Sequence, residues 1–329
     1  MPNDHRSHNR IAPQRAMTPR RAMDLAVLKC FSRIAALGSL SRAASDLGIS
    51  QPALTRQIKR LEHDLGNEVL VRNSRGVELT EAGHYLLSRI GPLLDQADLI
   101  AEELSAWRGA LSGSVAICMP ASLHRAVTLP LVADIRRTMP GVRLRVIDGF
   151  DALLHDQLRE GLVDLGILVH DEQRIIEGVD QKPLAREQLL LVGSRSAFPQ
   201  GARLRIRDLR DKELALPGER NQLRQHVEAL FRRQGVAARI GIEVESMSLA
   251  NDLVRRGEFF SVMPESGSFG YAKDGIGCWP MIGASISWAL CIQKRRAQSP
   301  AVREVARRLN ELMLQPPRSR IVRGSGAKA

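Results

Sequence analysis

The 329-residue chain is 44% hydrophobic and 26% charged, the balance of a globular protein, and its length suits two or three domains rather than one. A formal net charge of +12 points to an acidic partner, a nucleic acid or an anionic surface. No apolar run approaches the roughly 20 residues of a membrane span, and no secretory apolar core opens the chain, so it is expected to act in the cytoplasm without a membrane.

Residues 1–22 are polar and basic without apolar periodicity, and are predicted to be a disordered tail, as are residues 315–329. Met17 and Met23 are alternative translation starts. The arginines of both tails read equally as solvated charge and as contacts to an acidic partner.

Order is predicted to begin at Met23. Leu25, Leu28, Phe31 and Ile34 recur at helical spacing up to Gly38. Ser39 then caps a short helix, 40–47, whose close-packing side is Ala43 and Ala44, and Gly48 turns the chain. Ser50 caps the next helix, with Pro52 in its first turn, where a missing N–H costs nothing. Leu54, Ile58, Leu61 and Leu65 form its buried stripe. Two β-rich runs, 69–71 and 77–79, flank a Gly-containing turn and read as a hairpin. Helix, helix, turn, helix, hairpin is the winged helix-turn-helix order, placed at residues 23–80.

On the third helix, Gln51, Thr55 and Lys59 lie one turn apart, opposite the leucines, with Pro52 and Arg56 beside them. Gln pairs with adenine, Arg with guanine, and Pro or the Thr methyl touches thymine. Gln51, Pro52, Thr55 and Arg56 are therefore the candidate base contacts. Lys59, Ser39, Ser41 and, on the hairpin, Arg72 and Arg75 are candidates for the DNA backbone. One such helix reads few base pairs, so a dimer is expected.

Thr80 caps a long helix in the linker span 81–110. Leu86, Ile90, Leu93, Ala97, Ile100 and Leu104 alternate steps of four and three, the spacing of a seam against a second helix. The alternative is packing on its own domain. Gly91–Pro92 is expected to kink it.

From residue 111 to 314, strand and helix patterns alternate. Strands are predicted at 115–119, 142–147, 164–169, 188–192, 214–216, 240–244, 260–263 and 285–293. Helices fall at 122–139, 151–160, 223–234, 249–256 and 302–313. This implies a largely parallel α/β arrangement in two lobes with a cleft. Ligands in such folds sit beyond strand C-termini, near helix N-termini. That nominates Ala121, Ser122, Phe150, Asp151, Pro217, Arg220 and Ser246, with their neighbours Pro120, Gly149, Gly218, Glu219 and Met247. Asp151 is also a natural helix N-cap.

Cys30, Cys118, Cys278 and Cys291 are far apart, which suggests neither zinc nor a disulfide framework, and no metal or cofactor is expected. No phosphate-loop, zincin, nucleophile-elbow or dinucleotide motif is present, so an enzyme is not expected. Two classes stay in play: a ligand-responsive DNA-binding regulator, and a DNA-binding protein whose α/β part is only an oligomerisation scaffold.

The runs LKCFSRIAALGSLSRAASDLGISQPALTRQIKRLEHDLG and VLVRNSRGVELTEAG closely resemble the DNA-binding domain of LysR-type transcriptional regulators. VIDGFDALLHDQLREGLVDLGIL and IEVESMSLANDLVRRGEFFSVMPES resemble that family's effector-binding domain, leaning to the branch containing the nitrogen assimilation control protein. The resemblance implies a winged helix-turn-helix, a linker helix, and two Rossmann-like subdomains similar to periplasmic binding proteins. Subdomain I would comprise about 111–184 and 286–314, subdomain II about 185–285. It also implies a homodimer assembling to a tetramer, double-stranded promoter DNA on the nucleoid, RNA polymerase as partner, and a small-molecule effector between the lobes. Relatives often carry a small hydroxyl residue at position 151. Asp151 here disfavours a carboxylate ligand unless Arg220 or His124 offsets it.

Overall fold

The computed structural model describes residues 23–73, 76–107, 111–149, 151–268, 271 and 275–315. The predicted tails, Gln315 excepted, lie outside the described residues, as do Arg75, Phe150 and the side chain of Asp151. The chain forms two compact units, Met1–Leu94 and Asp95–Ala329.

In the first unit, α1 (Leu25–Leu37), α2 (Leu40–Leu47) and α3 (Gln51–Leu65) start on Asp24, Ser39 and Ser50. Each cap's side chain accepts a backbone N–H that the first turn leaves without a helical partner. Left-handed Gly38, Gly48 and Gly66 end the three helices. Leu28, Phe31, Ile34, Leu54, Ile58 and Leu61 interlock as the core. Strands β1 (Leu70–Asn73) and β2 (Gly76–Leu79) pair antiparallel, Leu70 opposite Leu79. The Glu62 carboxylate on α3 accepts from the amides of Val69 (3.0 Å) and Leu70 (3.3 Å), fixing where the hairpin leaves the helix.

Helix α4 (Glu81–Ala106) runs continuously through Gly91 and Pro92. Thr80 opens it: its hydroxyl accepts from Gly83 N and donates to the Glu68 carbonyl. Gly83 is buried under β1, and a Cβ there would lie 2.1 Å from the Val69 carbonyl oxygen. That oxygen already accepts from Thr80 N, so it cannot move without breaking the junction. Gly83→Ala is expected to destabilise this unit by about 1–3 kcal/mol despite alanine's better helix propensity. Hydrogen exchange of the α1–α3 amides checks it; unchanged protection would mean that the carbonyl yields freely.

The second unit is built on a six-stranded sheet, order β4-β3-β5-β10-β6-β9. Its strands are β3 (Ser112–Pro120), β4 (Gly141–Gly149), β5 (Leu165–Val169), β6 (Val179–Ser194), β9 (Ser261–Pro264) and β10 (Ile276–Gln293). A two-stranded parallel sheet of β7 (Glu213–Leu216) and β8 (Arg239–Glu243) belongs to the second lobe. Helices α5 (Leu129–Thr138), α6 (Asp151–Arg159) and α9 (Pro300–Leu314) accompany the first lobe, α7 (Gln222–Arg233) and α8 (Met247–Arg256) the second. The largest core joins Val115, Ile117 and Met119 of β3 to Val302, Val305 and Leu309 of α9.

The structure departs from the sequence expectation in three places. The sheet is mixed: β3 is parallel to β4 and β5, but β10 pairs antiparallel with both β5 and β6. Strand β10 returns the chain from the second lobe to the first, which reverses its direction. β6 and β10 are also far longer than predicted, 16 and 18 residues, because their polar, Pro- and Gly-containing parts carry no apolar alternation. The helix predicted over 122–139 is composite. A 3₁₀ turn (Ala121–Leu123) and a π turn (His124–Thr128) precede α5, and Pro130 sits in the first turn of α5.

Candidate nucleic-acid interface and ligand cavity

The apolar side of α3 is buried, with Leu54, Ile58 and Leu61 inside the core. Its other side leaves Gln51, Pro52, Arg56 and Lys59 exposed and Thr55 half-buried. Helical spacing and burial together thus present one polar face at the start of the helix. Ser39 is half-buried and spends its hydroxyl oxygen on capping Arg42 N, 3.3 Å from the exposed Ser41 hydroxyl. Arg72 is exposed on β1. An ion pair between Arg33 and Asp46 (2.6 Å) ties α1 to α2 and holds the helix before the turn in place.

The six seam residues of α4 separate into two groups. Ile90 is 1% exposed and belongs to the core of the first unit, and Leu86 packs against that core. Leu93 (56%), Ile100 (49%) and Leu104 (51%) are exposed, and Ala97 is half-exposed. Ile90 and Leu86 are therefore spent inside the fold, and Leu93, Ala97, Ile100 and Leu104 are the predicted seam residues that the fold does not bury. The seam spacing could not distinguish these, because steps of three and four keep residues near one side whichever neighbour covers it.

The opposite end of α4 carries a feature that sequence reading missed. Glu102 and Arg296 are 194 residues apart and both buried, and Arg296 Nη2 donates to Glu102 at 3.0 Å. Arg296 Nε donates to Asp164 at 2.9 Å and Nη2 also to the Ser114 carbonyl. The Ser299 hydroxyl donates to the second Glu102 oxygen, and Asp164 accepts from Ala116 N at 2.7 Å. Burial alone would lower the Arg296 pKa, but Asp164 and Glu102 outweigh it and hold the guanidinium above its ordinary value. Two turns earlier, Asp95 faces Arg295 at 3.1 Å, and burial raises its carboxyl pKa against the arginines' pull. The last turns of α4 are thereby locked to β3, to the start of β5 and to the segment before α9.

Between the lobes lies a cavity of about 490 Å³, within the usual range for small-molecule sites. From the first lobe it is lined by Pro120, Ala121, Ser122, Asp148 and Gly149. From the second it is lined by Pro217, Asn221, Glu245, Ser246 and Met247. Ile286 and Trp288 of β10 form part of its apolar wall. Seven of the nominated residues and neighbours, Pro120, Ala121, Ser122, Gly149, Pro217, Ser246 and Met247, meet here. Arg220 does not: it is exposed, in a separate polar hollow with Asp171, Arg174, Gln222 and Gln225. The cause is the cap at Asn221, whose side chain turns in to take Leu223 N and Arg224 N while residue 220 stays in the preceding turn. Asp148, Glu245 and Trp288 were not nominated. Asp148 and Glu245 are polar residues in strand-end positions, which a stricter use of the strand-end rule would have found. Trp288 lies within the predicted strand 285–293, but its place beside the cavity depends on where β10 sits in the sheet.

Among the described residues, no group of three or more His, Cys, Asp or Glu is arranged to hold a metal ion. No described helix is long and apolar enough to cross a membrane.

Comparison with known proteins bears on both sites. Residues 25–84 match the family described as "Bacterial regulatory helix-turn-helix protein, lysR family", and residues 108–314 match "LysR substrate binding domain". The nitrogen assimilation regulatory protein nac of Klebsiella aerogenes is 30% identical over 298 residues, 89% of this chain and 96% of that protein. A full-length OxyR variant from Pseudomonas aeruginosa superposes with a TM-score of 0.68 at 25% identity, over 88% of this chain and 95% of that one. The regulator CbnR superposes with a TM-score of 0.60 at 25% identity, over 89% of this chain and all of its own.

Proposed function

This chain belongs to the LysR family of DNA-binding transcription regulators, and from that premise we propose that α3 reads promoter DNA while a small molecule between the lobes adjusts the binding. The observation that carries the reading is the division of α3 into a buried leucine side and an exposed face of Gln51, Pro52, Arg56 and Lys59, completed by half-buried Thr55. With its N-terminus in the major groove, the helix brings Gln51, Pro52, Thr55 and Arg56 to base edges. Lys59, farther along, Ser39 and Ser41 at the start of α2, and Arg72 and Arg75 on the hairpin meet backbone phosphates.

Residues 23–80 form the DNA-binding domain, 81–110 the linker helix and 111–314 the effector-binding domain. Subdomain I takes in about 111–184 and 286–314, subdomain II about 185–285. Two chains pair along Leu93, Ala97, Ile100 and Leu104, bringing two reading helices to half-sites about one helical turn apart. Dimers then join as tetramers on chromosomal DNA, with RNA polymerase as the further partner. Ala121, Ser122, Pro217 and Ser246 contact the effector, and the sequence nominates Phe150 and Asp151 beside them.

Arg56→Ala should lower discrimination at one base pair by about 1–3 kcal/mol, whereas Lys59→Ala should weaken all sequences alike and reduce the salt slope by about one unit. Competition binding with single-base variants of a mapped site, repeated across a salt series, distinguishes the two. An unchanged base preference in Arg56→Ala would remove its assigned role.

A further inference from the structure

We infer that the interlobe cavity takes a small organic cation, a primary amine on an apolar body, rather than a carboxylate. The inference rests on the effector reading above and names the ligand class of that site.

The cavity wall is mostly apolar, with Leu216, Val244, Met263, Ile286 and Trp288 in its lining. The ionisable side chains among its described lining residues are Asp148, at the end of β4 in the first lobe, and Glu245, after β8 in the second. No Lys, Arg or His is among them. A bound anion would face two carboxylates across an apolar space, while an ammonium group would be attracted from both lobes.

Helix N-termini ordinarily offset such repulsion by offering free N–H groups to an anion. In the second lobe several of those donors are already used. Asn221 Oδ1 accepts from Leu223 N (2.9 Å) and Arg224 N (3.4 Å) at the start of α7. Ser246 Oγ accepts from Leu249 N (3.3 Å) at the start of α8. Glu245 itself accepts from Gly218 N at 3.0 Å, so a protein carboxylate stands on the loop donor that a ligand carboxylate would use.

The cations nearby are also committed. Arg224 donates to the Pro217 carbonyl in the cavity wall, but its guanidinium is buried and paired with Glu228 (2.7 Å) and Glu243 (3.4 Å). Arg220 lies in the other hollow. His124, outside the lining, sits 3.4 Å from Asp148, so a ligand ammonium competes with it there. Glu245 has no basic partner among the described residues, which makes it the stronger anchor.

The test uses shape-matched probes on the full-length protein: benzylamine, benzyl alcohol and benzoate, then 1,4-diaminobutane against succinate. Calorimetric titration is expected to show each amine binding at least about tenfold tighter than its matched acid. Glu245→Gln and Asp148→Asn each keep an acceptor oxygen, so they should fold while losing that preference. Tighter binding of benzoate or succinate to the wild type would overturn the cation class and leave the effector site standing. Undiminished amine binding in both variants would place the amine elsewhere and overturn the assignment. No binding by any probe, with DNA affinity unaltered by all five, would overturn the effector reading along with it.

Discussion

Glu102→Ala is expected to cost the α/β unit about 3–5 kcal/mol of folding stability, because it removes one partner from a buried ion pair. Arg296 is 7% exposed and cannot turn to water to replace the lost carboxylate. Asp164 remains beside it, but that carboxylate is shared with Ala116 N and satisfies one edge of the guanidinium only. The Ser299 hydroxyl also loses its acceptor, at the point where Ser299 caps α9. Glu102→Gln retains an acceptor oxygen without the charge, so its loss should be smaller. Trp107, Trp279 and Trp288 are the chain's three tryptophans, and all fall in this unit, so urea unfolding followed by tryptophan fluorescence reports on it. A Glu102→Ala midpoint equal to that of the wild type would show that the pair contributes nothing. The same variant releases the last turns of α4 from β3. Any influence of the lobes on the linker helix that travels through this network should weaken with it.

Ile90→Ala should destabilise the first unit by about 2–5 kcal/mol, the cost of deleting a fully buried branched side chain. The loss should be independent of protein concentration, since Ile90 fills its own unit's core beside Leu94. Leu104→Glu should do the reverse. Leu104 belongs to the second unit and its side chain is exposed, so the stability of both units should hold while a charge placed in the seam drives dimers apart. Hydrogen exchange at the α1–α3 amides follows the first effect, and sedimentation across a concentration series the second. If Ile90→Ala dissociates dimers with the first unit intact, the division of the seam is wrong. The exposed group Leu93, Ile100 and Leu104 would then have no assigned partner.

The DNA-binding unit was legible almost residue by residue. Its signals are local: Ser39 and Ser50 act on amides three residues ahead, and Gly48 closes the turn directly after α2. The leucine stripe of α3 and its polar face follow from a 3.6-residue period and need no knowledge of the partner surface. The α/β unit was legible as an order of strands and helices. Strand length and direction were not: β6 and β10 run through polar stretches whose pairing comes from neighbouring backbone rather than from side-chain alternation.

The chain's sequence alone determined where α1, α2 and α3 begin and end, which side of α3 faces inward, and that two α/β lobes follow a long helix. Those features depend on interactions within about one helical turn, which the order of residues states directly. Tertiary structure alone decided that Ile90 is core while Ile100 is surface, that Glu102 meets Arg296, and that Glu245 occupies the Gly218 amide. Each of these depends on which distant segment closes onto the residue, and a one-dimensional period carries no information about that closure.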